Sequence, residues 1–167
     1  MPNVLQKTTE ETLKGGTNGK ITVVYDLDGN VVTLKGVVTV NVGTVYFNGN
    51  LSEASLKRLQ SEGVNCLRIT MQLKGPANSD IGFLYQTDGT TPQTTTRKNE
   101  LLAILKTAVD RATSMGIYCI IDWGMLAEDG DPNINKGAAE WFFGHLGEYY
   151  ANNPYVIYEV CNEPAVT

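Results

Sequence analysis

The chain has 167 residues and a formal net charge of −5, with 13 Lys and Arg against 18 Asp and Glu. That is enough for one domain with a real core, and the basic residues are scattered, with no patch suited to a nucleic-acid backbone. No apolar run reaches the length of a membrane span.

Met1 to Gly19 is polar, rich in Thr, Lys, Glu and Gly, and is expected to be a loose leader without a signal-peptide core, with the folded domain running from residue 20 to 167. Gly15 to Lys20 has the wrong spacing for a phosphate loop. Two β-rich runs, residues 21–25 and 31–34, flank Asp28-Gly29, a turn signal that predicts a hairpin. Residues 36–42 follow as a first strand of the main sheet.

Ser52 is placed to cap a short helix over 53–62, which Gly63 stops. Residues 64–71 read as the next strand. Its period of two puts Cys66, Arg68 and Thr70 on one face and Leu67, Ile69 and Met71 on the other. The apolar set suits a helix layer, so Arg68 faces the interior. Residues 73–96 form a long loop carrying Gly75-Pro76 and Asp88-Gly89. Its Phe83 and Tyr85 suit either stacking on a ligand ring or pinning the loop to the core.

The clearest helix spans 99–115. Leu101, Ile104, Leu105, Ala108, Ala112 and Met115 recur at helical spacing, and Gly116 ends it. Residues 117–123 are a strand whose Ile120 and Asp122 share a face with Gly124. A second loop, 126–135, leads to a helix over 136–151 with Trp141, Phe142, Leu146 and Tyr149 as its expected buried stripe. His145, the single histidine, reads as structural or solvent-facing. Cys66, Cys119 and Cys161 have neither disulfide nor metal-ligand spacing and read as buried free thiols. No cofactor fingerprint and no metal site are expected.

The last stretch, Tyr155 to Pro164, is a buried strand ending in an Asn162-Glu163-Pro164 corner. Pro164 cannot donate to a sheet ladder, so the strand stops near Glu163. A carboxylate at the exit of a buried strand is costly to place by accident. Strands alternating with helices predict an α/β fold with a parallel sheet.

Taken in order, Asn65-Cys66-Leu67-Arg68, Gly116 to Trp123, Asp129 to Asn133 and Tyr155 to Pro164 resemble glycoside hydrolase family 5, the cellulase family. The resemblance runs over residues 22–164. It implies a (β/α)8 TIM barrel, and such a barrel takes about 250 residues. The chain therefore resembles the first four β/α units, with the hairpin closing the barrel floor.

The resemblance also implies chemistry. Glu163 would be the general acid/base of a retaining, endoglucanase-like hydrolase acting on β-glucan or a related polysaccharide. Asn162 would hold the sugar 2-hydroxyl, and Arg68 would orient the nucleophile. A retaining site needs two carboxyl groups about 5 to 5.5 Å apart. The family's nucleophile lies on a strand beyond those present, and Glu159, four residues from Glu163, stands about 13 Å away along a strand. Asp122 is the one carboxylate left as a stand-in.

Two departures from the family pattern weigh on activity. Gly124 and Val40 stand where the family carries histidines. The alternative expectation is therefore an inactive half-barrel that binds carbohydrate or self-assembles, with Arg68 and Glu159 as a plain ion pair. Open sheet edges imply self-association or docking with a C-terminal half-barrel. No nucleic-acid or membrane partner is expected. The family implies an extracellular location.

Overall fold

The computed structural model describes residues 7–12, 20–25, 29–39, 41–42, 49, 51–75, 81–124 and 131–162. Its elements in order are β1 (Lys7–Thr12), β2 (Lys20–Tyr25), β3 (Gly36–Thr39), α1 (Glu53–Ser61), β4 (Cys66–Gln72), α2 (Thr95–Ser114), β5 (Tyr118–Gly124), α3 (Lys136–Tyr149) and β6 (Val156–Glu159). No described helix is long and apolar enough to cross a membrane.

Strands β3, β4, β5 and β6 form one parallel sheet in that order, with α1, α2 and α3 as the crossovers between neighbours. This is the βαβ pattern expected of consecutive barrel units. The helices begin and end where local chemistry dictates. Ser52 Oγ accepts from Ser55 N at 3.3 Å and Thr94 Oγ1 accepts from Arg97 N at 3.2 Å, satisfying donors that a helix start leaves open. Behind α1 and α2 the chain turns through Gly63 and Gly116 at φ of +85° and +78°, a conformation that favours glycine.

The main core lies between sheet and helices. Leu67, Ile69 and Met71 of β4, and Cys119, Ile121 and Trp123 of β5, all point into it. They meet Leu56 of α1, Leu101, Leu105, Ala108 and Ala112 of α2, and Phe142 and Leu146 of α3. Each Leu or Ile fully buried this way contributes about 1.5–3 kcal/mol before entropy is counted. Ile104 and Met115 sit half-buried at the rim of the same core.

The opposite sheet face begins with a smaller cluster of Cys66, Tyr118 and Tyr155, covered by Val32 and Leu34. Asn65 holds that cover in place, accepting from Lys35 N at 2.7 Å and donating to the Thr33 carbonyl at 3.0 Å. Residues 31–35 thus seal the floor where the strands begin.

Several expectations are corrected. The strand Lys20–Tyr25 does not pair with residues 31–34. It pairs antiparallel with Lys7–Thr12, inside the stretch expected to be a loose leader, in the register Lys7↔Tyr25. The Asp-Gly turn signal is local, whereas the partner lies upstream. In α3 only Phe142 and Leu146 of the expected stripe are buried. Trp141 and Tyr149 are 37% and 54% exposed. Trp141 stacks on His145 at 4.1 Å between ring centroids, and the Tyr149 hydroxyl donates to Asp110 Oδ2 at 2.9 Å. Each finds its partners at the surface instead. Cys66 and Cys119 are buried thiols, while Cys161 is half-exposed just past β6.

Phe83 pins its loop. It is 1% exposed, with its ring edge-on to Trp123 at 5.7 Å and to Phe142 at 5.4 Å. It offers no face to a ligand. Tyr85 is half-buried against the core and bridges Lys74 and Pro92 through its backbone.

Candidate active site

Parallel register stacks the inner face into layers. Val38, Arg68, Ile120 and Ile157 form one layer, and Thr70, Asp122 and Glu159 form the next. Arg68 therefore starts one layer below two carboxyl groups and reaches up toward both. Strand alternation alone produces this arrangement once the apolar residues of β4 and β5 have claimed the helix side.

The guanidinium forks onto Glu159. Nε donates to Oε2 at 2.6 Å and Nη2 to Oε1 at 2.7 Å. Nη2 also donates to Asn162 Oδ1 at 2.7 Å. Such bidentate, charge-assisted pairs fix orientation as well as adding energy. Asn162 is held at its backbone too, where its N–H meets the Trp123 carbonyl at 3.4 Å. Asn162, three residues past the end of β6, is thus anchored to both β4 and β5.

Asp122 completes the group. Its Oδ2 lies 3.1 Å from Arg68 Nη2, and its side chain is fully buried, whereas those of Arg68 and Glu159 are 23% and 33% exposed. Neither oxygen of Asp122 sits in good hydrogen-bond geometry, although the Thr70 hydroxyl is near enough to pull its carboxyl down. The reason is countable. Nη2 carries two hydrogens, and Glu159 and Asn162 take both.

The electrostatics diverge accordingly. The hydrogen bond from Arg68 holds the Glu159 carboxyl below the usual range, against a smaller opposing effect of burial. Burial pushes the Asp122 carboxyl up, and Thr70 and Arg68 bring it only part of the way back. Two neighbouring acids with opposite shifts are a common signature of functional sites.

Gly124 is part of the same arrangement. A β-carbon built there would overlap the Asp122 carboxylate and the Thr70 methyl. The space that a side chain at 124 would take is already filled by Asp122.

Of the residues singled out from sequence, the structure brings Arg68, Glu159, Asn162 and Asp122 together. Asp122 is too buried to touch a substrate, which overturns its place as a stand-in nucleophile. Glu163 and Val40 lie outside the described residues, as do Asp129 and Gly130. His145 is an exposed residue of α3 whose Nδ1 meets the Trp141 carbonyl at 2.8 Å, remote in the chain from the Arg68 cluster. One buried feature had not been anticipated, the 2.8 Å bond from Asn41 Nδ2 to Gln72 Oε1 where β3 and β4 end. Gln72 falls two places beyond Thr70, so strand periodicity was signal enough to find it. Among the described residues no three His, Cys, Asp or Glu gather into a metal-holding group.

Comparison with known proteins agrees with this fold. The family model described as cellulase (glycosyl hydrolase family 5) matches residues 25–167. Endoglucanase N of Pectobacterium atrosepticum is 33% identical over 154 residues, 89% of this chain and 30% of its own length. Endoglucanase A of Butyrivibrio fibrisolvens is 34% identical over 95% of this chain and 37% of its own length. The catalytic domain of Thermobifida fusca endoglucanase Cel5A superposes with a TM-score of 0.67 at 26% identity, covering 87% of this chain and 42% of that one. The chain thus spans about a third of the length of the curated relatives it matches.

Proposed function

Because the chain belongs to the cellulase family, glycosyl hydrolase family 5, we propose that it supplies the acid/base half of a retaining glycoside hydrolase acting on β-linked glucan. The relatives that carry the reading are endoglucanases. The single observation that supports it most is the Arg68 fork, which sets Asn162 at the strand exit immediately before Glu163.

In this reading Glu163 donates a proton to the leaving glycosidic oxygen and later takes one from water. Asn162 presents its free amide hydrogens to the sugar 2-hydroxyl, because Arg68 already occupies its oxygen. Arg68 orients the attacking carboxylate. That carboxylate comes from neither Glu159 nor Asp122. The first is committed to Arg68 and the second is sealed from solvent.

A second reading has its own observation. Gly124 presents no side chain to a sugar, and Asp122 fills the volume above it. This favours a half-barrel that binds polysaccharide without cleaving it. Reducing-end release from a soluble cellulose derivative separates the two, run on the chain and on Glu163→Gln. Cleavage lost in the variant supports the hydrolase. Oligosaccharide binding with no cleavage in either protein supports the binding module, and neither binding nor cleavage contradicts both.

A further inference from the structure

Among the described residues, Asp122 is the side chain whose two oxygens are both buried and outside good hydrogen-bond geometry. Arg68 at 3.1 Å and the Thr70 hydroxyl offset part of the cost of burying its charge, and burial still outweighs them. Among the described residues, the groups that face it are few. From β4 come Arg68 and Thr70, and from β6 and its exit come Glu159 and Cys161. Burial, with the negative charge of Asp122 and Glu159 nearby, pushes the Cys161 thiol up, so it stays neutral and supplies no compensation. Among the described residues, one cation therefore faces two acids, and its fork is given to Glu159.

We propose that Asp122 is a pH-sensitive positioning residue that governs whether Arg68 holds Asn162. Neutral Asp122 leaves both Nη2 hydrogens to Glu159 and Asn162, the arrangement seen. Ionised Asp122 is a stronger acceptor than the Asn162 amide oxygen, and it already sits 3.1 Å from the same nitrogen. Losing its proton draws one hydrogen away from Asn162 and releases that side chain.

Gly124 is the condition for this. Only hydrogen at that α-carbon leaves room for the Asp122 carboxyl beside Nη2. Burial works in the same direction, raising the carboxyl's affinity for its proton. The consequence for chemistry rests on the proposed function, since it is there that Asn162 meets the sugar. Acidic conditions would keep Asn162 in place, and higher pH would free it.

Carbon-detected carboxyl titration of the whole chain, followed together with the Asn162 side-chain amide, tests this without any sugar. The expected result is an Asp122 midpoint above the Asp reference of about 3.9, with the Asn162 amide shifting at the same midpoint. In Asp122→Asn that step vanishes from the Asn162 profile while the far-ultraviolet dichroism is unchanged. In Gly124→Ala the carboxyl is displaced and its midpoint falls toward the reference. An Asp122 midpoint at or below the reference overturns the proposal, as does an Asn162 profile that Asp122→Asn leaves intact. Should Gly124→Ala not fold, the Asp122→Asn comparison decides alone. Failure of the cleavage assay would leave this titration standing, and the reverse also holds.

Discussion

The two faces of β4 and β5 are built from alternate residues of the same strands, yet they are different materials. The helix-side face is Leu67, Ile69, Met71, Cys119, Ile121 and Trp123, all within 2% of complete burial. The inner face is Arg68, Thr70, Ile120 and Asp122, joined by Glu159, and it holds together through one guanidinium. The first face carries stability, because the apolar area it removes from water is large. The second carries placement, because an ion pair taken from water gains little net energy but fixes geometry.

Substitutions on the two faces should therefore differ in kind. The largest effect is expected from Trp123→Ala, which removes a ring packed between Phe83 and Phe142. Its cost is about 3–5 kcal/mol, read as a shift in denaturant midpoint without a change in slope. Next comes Arg68→Met, expected to cost about 1–3 kcal/mol, since Glu159 keeps some solvent while its hydrogen bonds are lost. Equal costs for the two variants would erase the distinction between the faces.

Smaller effects follow from pH. Arg68 lowers the Glu159 carboxyl, so its stabilising contribution is complete above the unfolded value of about 4.3 and disappears as pH falls through the lower folded value. Asp122 behaves oppositely. Its folded value is raised, so its contribution is complete below about 3.9 and is lost as pH rises through the folded value. Melting temperature against pH should accordingly show a shallower acid-side fall in Glu159→Gln and a shallower fall with rising pH in Asp122→Asn. The smallest effect belongs to Val38→Ala, on the inner face but 58% exposed. It should lie within about 0.5 kcal/mol. A larger cost would mean that the inner face is covered by something else.

The helix-side face was legible from sequence because it obeys simple periods. Spacings of three and four marked Leu101, Leu105, Ala108 and Ala112, and alternation sorted Leu67 from Arg68 correctly. The residue before each glycine stop was found to within one or two positions. The pairing of β2 was not legible, since a turn signal reports on its neighbours and β1 lies on the other side of the strand. Trp141 and Tyr149 misled because an aromatic ring with a polar partner is stable at the surface.

At the site, alternation gave the face of Arg68 and Asp122, and Glu159 was legible as a charge partner. What it withheld was depth. Asp122 was the carboxylate left as a stand-in nucleophile, whereas the neighbouring strands and the bare α-carbon of Gly124 let it sink out of solvent. Burial of a polar side chain depends on what the next strands place over it, and no single-strand pattern carries that.

The central claim is that Arg68 holds Asn162 ready for a sugar beside Glu163. It is tested most directly by titrating a β-glucan oligosaccharide into the isotope-labelled chain and following the Asn162 side-chain amide and Arg68 Nε–H resonances. Both should shift together and saturate, with Arg68→Met abolishing the Asn162 response. Saturable binding that leaves both resonances unmoved would place the sugar elsewhere and contradict the account.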